Sequence, residues 1–201
     1  MIDILNGVNY HNILRNIKMS NTWITTYSGK QFYPLDPNPD DITIDDIAHA
    51  LSNLCRWNGH VKSFYSVAQH SVIVSQHCKP EHMLYGLLHD SSEGLSLGDF
   101  PTPIKRLPQF DYYRKVEHNL QSMVYKKFGL EPHEPNDVKE ADLIALATEM
   151  RDLMNPIAFN WHVEQKPLEN KIEPLLPRQA KDLFLKRFYE LTEQNARKEI
   201  I

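Results

Sequence analysis

Cysteine is almost missing from this chain: Cys55 and Cys78 are the only two in 201 residues, and they stand far apart outside any CxxC pattern. A disulfide framework and a cysteine-rich zinc site are therefore not expected, and a reducing compartment fits. A basic surplus is missing as well. The 22 lysines and arginines are outnumbered by 26 aspartates and glutamates, a formal charge of −4. Proteins that coat nucleic acid usually carry the opposite imbalance, so no nucleic acid polymer is expected as a partner. A local basic pocket for a phosphorylated small molecule stays open. No apolar run approaches the ~20 residues of a membrane span, and the first residues lack the apolar stretch and small-residue cleavage site of a signal peptide. No membrane partner is expected, and the cytoplasm is the expected compartment. Internal repeats and low-complexity tracts are absent too.

What remains is the composition of an ordinary folded domain, 41% hydrophobic and 24% charged. The length suits one domain with one sizeable core. Residues 1–20 read as an N-terminal extension and 21–201 as the domain. Trp23 to Tyr27, a Ser28-Gly29 turn, and Lys30 to Tyr33 predict a small β-hairpin. Helical signals follow. Thr43 caps a helix with Asp46 three residues on, and Ile47, Ala48, Leu51, Leu54 and Cys55 form its buried face until Asn58-Gly59. Further helices are predicted over Ser66–Cys78, Glu81 into His89-Asp90, Asp111–Phe128, Asp137–Met154 and Arg178–Gln194. Gly98-Asp-Phe-Pro-Thr-Pro103 reads as a loop, and 155–176, rich in Pro and Asn, as an irregular loop or lid. The fold class is mostly α, a single helical bundle with a small N-terminal β-hairpin.

The histidines carry the chemistry. His89-Asp90 follows the apolar run Tyr85-Gly-Leu-Leu88 and precedes Ser91-Ser-Glu93, so an imidazole and two carboxylates share about one helical turn where a buried helix emerges. His70 interrupts the largely apolar Ser66–Val74, and Asp142 interrupts Lys139–Ala147. Taken singly, His70 reads as a hydrogen-bonded core histidine and Asp142 as a helix-start or surface carboxylate. Taken jointly, two imidazoles and two carboxylates from three helices make a mixed N/O site suited to zinc, manganese, iron or cobalt, with positions left for water and substrate. His60 and His77 are the rival ligands. His77 lies two turns beyond His70, about 10 Å along the axis, too far to share one metal with it. His49, His82, His118, His133 and His162 are given no role.

The order His70, His89-Asp90, Asp142 resembles the H…HD…D signature of the HD phosphohydrolases. Arg56-Trp57, His70, His89-Asp-Ser-Ser-Glu93 and Gly98-Asp-Phe-Pro-Thr-Pro-Ile-Lys105 are similar to the bacterial 5′-deoxynucleotidases, from about residue 45 to about residue 154. The string from Trp23 through Arg56 to Tyr65-Ser-Val-Ala-Gln-His70 also resembles small bacterial and phage HD hydrolases, among them the phage dATP triphosphohydrolases. This chain departs from the deoxynucleotidase pattern by one extra residue between Glu93 and Asp99 and one fewer between Arg56 and His70.

That resemblance implies an HD-domain bundle, a divalent metal (zinc, cobalt or manganese) on His70, His89, Asp90 and Asp142, and a small-molecule deoxynucleotide substrate. It also implies a homo-oligomer, dimer or hexamer, in a bacterium or, for a phage-encoded chain, its host cell. Glu93 becomes the general acid/base, where the residue alone reads equally as an exposed helix-end glutamate. Arg56 suits bidentate phosphate contact and Trp57 suits stacking on a base, although the residues alone slightly favour a helix cap for Arg56 and a core role for Trp57. Lys105 reads as a second phosphate contact and Asp99 as a group that binds the sugar hydroxyl or orients Glu93, while both read equally as loop-surface charges; His60, after Gly59, is placed to reach substrate. The implied activity is phosphate removal from deoxynucleotides, in its most specific form a dATP triphosphohydrolase. The alternatives are a deoxynucleoside 5′-monophosphatase and, in another class, a catalytically inactive nucleotide-binding regulatory module.

Overall fold

In the computed structural model the described residues are 22–156, 158 and 163–198. The N-terminal extension expected over 1–20, and His162, lie outside them. Ile24–Thr25 (β1) and Gln31–Phe32 (β2) pair antiparallel around a turn at Gly29, whose φ of 81° favours glycine. Among the described residues seven α-helices follow: Ile44–Asn53 (α1), Val67–His77 (α2), Met83–Leu88 (α3), Thr102–Lys105 (α4), Asp111–Lys127 (α5), Asn136–Leu153 (α6) and Pro177–Lys198 (α7). The chain is mostly helical, with a small two-stranded hairpin near its N-terminus.

The hairpin is locked to α1 by one carboxylate. Thr43 accepts a hydrogen bond from the backbone N–H of Asp46, as an N-cap should. Asp46 in turn accepts from Thr43 Oγ1 at 2.6 Å and from Ser28 through its backbone N–H at 2.6 Å and its hydroxyl at 2.9 Å. A negative charge in the first turn also suits the helix dipole. Burial would raise the Asp46 pKa, but the bonds from Thr43 and Ser28 outweigh it and hold the carboxyl below its ordinary value.

Helix α2 is the centre of the bundle and packs against α1, α3, α6 and α7. Eight of its eleven residues are buried, which requires apolar or small side chains on nearly every face: Val67, Ala68, Ser71, Val72, Val74 and Ser75 supply them. Residues 70 and 69 are the polar exceptions. Gln69 donates to Glu173 O at 2.8 Å and accepts from Leu175 N–H at 2.9 Å, pinning the strap before α7. Helix α7 lays Ala180, Phe184, Phe188 and Leu191 on the core at helical spacing.

Three boundaries differ from the sequence expectation. Helix α1 ends at Asn53, not near Asn58-Gly59: Leu54 turns extended (ψ 120°) and Cys55 pairs with Ser66 in an isolated bridge. Arg56–Gly59 is a separate tight turn in which Trp57 (φ 59°) and Asn58 (φ 48°) adopt left-handed backbone. Residues 102 and 103, the end of the expected loop, open the short helix α4, with Pro103 in its first turn, where the missing N–H costs nothing. The described part of 155–176 has no helix or strand. It runs along α6, where Thr148 Oγ1 and Asp152 accept the backbone N–H groups of Leu168 and Ile172 at 3.0 and 2.9 Å.

Candidate metal centre

Three of the expected ligands converge. His70 from α2, with no exposed surface, meets His89 and Asp90 in the turn that follows α3, and one ligand atom from each lies within 4.8 Å of the others. His70 Nε2 and His89 Nε2 are 3.3 Å apart, and Asp90 Oδ2 is 3.3 Å from His89 Nε2 and 3.7 Å from His70 Nε2. Asp142 stands beside this trio on the His70 side. Its Oδ1 is 3.3 Å from His70 Nε2, while its Oδ2 is held by Lys139 at 2.6 Å.

The donor set fits a metal ion. His89 Nδ1 lies 2.8 Å from the Gly86 carbonyl, an acceptor only, so Nδ1 carries the proton and Nε2 presents its lone pair. His70 Nδ1 lies 2.6 Å from Glu149 Oε1 and likewise donates. Two lone pairs and the Asp90 carboxylate thus face one point with the Asp142 carboxylate beside them, an arrangement that repels itself unless a cation sits among them. Two nitrogens about 2.0–2.1 Å from a tetrahedral metal would be about 3.3 Å apart, and the observed separation matches. A proton can stand in for the cation. Burial and Arg56 oppose charge on His70, but Glu149 and Asp142 outweigh them and push its pKa up to about 9.

Glu149 was not legible as a site residue in the sequence reading, and it is the hub of the surrounding network. Wholly buried, it accepts from His70 through one oxygen and, through the other, from Arg56 Nε at 3.1 Å and Trp57 Nε1 at 3.0 Å. Burial would raise its pKa, but Arg56 and His70 hold it low. The signal available in sequence was its position seven residues after Asp142, which puts both carboxylates on one face of α6, two turns apart. They face the two nitrogens of a single imidazole.

Arg56 and Trp57 therefore reach the site from the left-handed turn rather than from a helix end. The Arg56 guanidinium is also 3.6 Å from Asp90 Oδ2, which places a fixed positive charge beside the trio. Glu93 is buried, not the exposed helix-end group that its neighbours suggest: it opens a single π-helical turn, Glu93–Leu97, and is 7% exposed. Its Oε2 has no hydrogen-bond partner among the described residues. Burial, reinforced by the charges of Asp90 and Asp99, holds its carboxyl well above the ordinary range. Asp99 is half-buried in the loop that follows, and His60 is exposed past the Arg56–Gly59 turn.

A cleft of about 340 Å³ opens beside the trio, lined by His89, Asp90, Glu93 and Lys105 on one side and by α5 on the other. Lys105 is paired there with Glu117 at 2.8 Å. His118 and His133, given no role from sequence, also line this cleft. His77 turns away and bonds the Ile73 carbonyl of its own helix, His49 stacks on Tyr27, and His82 pairs with Asp137.

No protein-family model matches the chain. It is 43% identical over 175 residues to the uncharacterized protein YfdR of Escherichia coli K12, across 86% of this chain and 97% of that protein. It is 34% identical over 169 residues to the uncharacterized protein RCAP_rcc00048 of Rhodobacter capsulatus, across 80% and 85%. Both relatives are bacterial, and no helix among the described residues is long and apolar enough to cross a membrane. Identity of this order over nearly the whole length places the chain in one family with YfdR, and to that family it belongs.

Proposed function

We propose that the chain is a metal-dependent phosphohydrolase of HD type that removes phosphate groups from deoxynucleotides, most specifically a dATP triphosphohydrolase releasing deoxyadenosine. The observation that carries this reading is the convergence of the His70 and His89 Nε2 lone pairs and the Asp90 carboxylate on one point beside the buried carboxyl of Glu93. Asp142 completes the set from α6. The mixed N/O donors suit zinc, cobalt or manganese. A bound ion of this kind supplies a Lewis acid for a phosphoryl oxygen and a water that ionises near neutral pH.

The chain's own groups do the rest. Glu93, whose carboxyl burial and the charges of Asp90 and Asp99 push above the ordinary range, is the general acid/base. Arg56, fixed by Glu149, presents positive charge toward the phosphate, and the cleft volume falls in the range of small-molecule sites. Trp57 flanks the base, with Lys105, Asp99 and His60 as outer contacts. A second reading, a deoxynucleoside 5′-monophosphatase, is favoured by the pairing of Lys105 with Glu117, which already neutralises one cation that a triphosphate tail would use.

One panel tests both. Phosphate, pyrophosphate and triphosphate release is measured from each dNMP and dNTP with zinc, cobalt, manganese and magnesium. Release from deoxynucleotides that vanishes in Asp90→Ala is expected. No release from any of them with any metal refutes the proposal.

A further inference from the structure

We infer that Glu149 is a positioning residue that fixes the tautomer of His70 and so sets the affinity of the metal centre; this rests on the metal reading above. Three N–H donors converge on the two oxygens of Glu149: His70 Nδ1 on Oε1, and Arg56 Nε with Trp57 Nε1 on Oε2. Arg56 and Trp57 have no way to accept a hydrogen bond, so the atom at Oε2 has to be an acceptor. His70 is different. A neutral imidazole donates from one nitrogen and accepts at the other, and its partner decides which. A carboxylate at Oε1 can only accept, which forces the proton onto Nδ1 and leaves the Nε2 lone pair facing His89 and Asp90.

Glu149→Gln inverts that choice without opening a hole. The amide oxygen has to serve Arg56 and Trp57, so the amide N–H₂ faces His70. The ring is then satisfied only with its lone pair on Nδ1 and its proton on Nε2, where Asp142 Oδ1, 3.3 Å away, accepts it. His70, Arg56 and Trp57 each keep a partner at residue 149, so the fold survives. The nitrogen that should bind metal is now a donor. Loading a metal would require the proton to leave Nε2 and the ring to turn a donor toward a donor.

The test uses the full chain stripped with chelator. Zinc affinity is measured by calorimetry for wild type and Glu149→Gln, with thermal melts of the metal-free proteins and ¹⁵N histidine NMR. Equal melts, a fall in zinc affinity of about 10- to 100-fold, and, with the metal-free ring titrated to its neutral form, a single His70 proton on Nδ1 in wild type and on Nε2 in the variant are expected. A folded variant with wild-type zinc affinity overturns the inference. Should the variant not fold, the zinc-loaded wild type decides: a proton on His70 Nδ1 supports the inference, and coordination through Nδ1 overturns it. Wild type that binds neither zinc, cobalt nor manganese sinks the metal reading and this inference together. Metal binding without deoxynucleotide hydrolysis sinks only the phosphohydrolase.

Discussion

Gly86→Ala puts a methyl group where α3 crosses α2, and the structure gives its neighbours. An added Cβ would lie 2.6 Å from Cys78 Sγ and 3.0 Å from the Ser75 Cα. The thiol could rotate away, but Ser75 cannot retreat easily: its hydroxyl donates to Met83 O at 2.7 Å and accepts from Arg187 Nε at 3.1 Å. Alanine gains about 1 kcal/mol over glycine in a helix interior. Overpacking of this kind costs typically about 1–3 kcal/mol, and contact with backbone argues for the upper part of that range. A net loss of about 1–2 kcal/mol is expected, which in a chain of this size lowers Tm by about 2–8 °C. The strain also reaches the metal centre, because the Gly86 carbonyl accepts the His89 Nδ1 proton, so weaker metal binding should accompany the loss. Urea unfolding followed by circular dichroism, with and without Cys78→Ala, measures both components. The double variant should lose less than the two single losses added together, since the sulfur contact is then gone and the two sites couple directly. A Gly86→Ala protein as stable as wild type would show that the α2–α3 approach is looser than described.

Three further outcomes are expected. Glu93→Ala should stay folded and bind metal normally while turnover falls about 100- to 10,000-fold, and near-normal turnover at saturating metal would remove Glu93 from proton transfer. Asp46→Asn should destabilise the chain by about 1–3 kcal/mol at neutral pH, judged from the bonds it weakens. Because the folded pKa of Asp46 lies below its ordinary value, that advantage of wild type is complete above about pH 4 and disappears as pH falls through the folded pKa; a difference that does not narrow in acid would contradict the assignment. Trp57→Ala should raise KM for deoxynucleotides more than it lowers kcat, and unchanged kinetics on every substrate would remove the ring from the pocket.

The fold was legible where local chemistry decides it. Thr43 with Asp46, Ser66, Gly129 and Pro177 each mark a helix end by a side chain or backbone preference that acts within four residues, and all of these ends stand within a residue or two of where they were expected. The failures have non-local causes. Nothing near Leu54 says that the helix should stop there. The chain leaves it because Cys55 pairs with Ser66 across the intervening turn, and the apolar period of α1 continues past the point where the backbone does. The helix α4 was hidden for the opposite reason: its proline suggests loop, yet a proline in the first turn is compatible with helix.

Within the site, legibility follows the cost of burial. His70 stood out because a polar ring among Val67, Ala68, Val72 and Val74 needs a partner to offset its desolvation, and a sequence shows that contrast directly. Glu149 bears the same cost, being wholly buried, yet it is flanked by Thr148 and by Arg151 and Asp152, which make the stretch look solvated. Glu93 is masked in the same way by Ser91 and Ser92, both of them buried too. A charged group in a polar run can be buried only if other elements enclose it, and here those elements arrive from distant parts of the chain: the Arg56–Gly59 turn and α2 around Glu149. Spacing could still have flagged it. A carboxylate seven residues from a candidate ligand on one helix shares its face, and on α6 that shared face is what lets Asp142 and Glu149 hold opposite sides of the His70 ring.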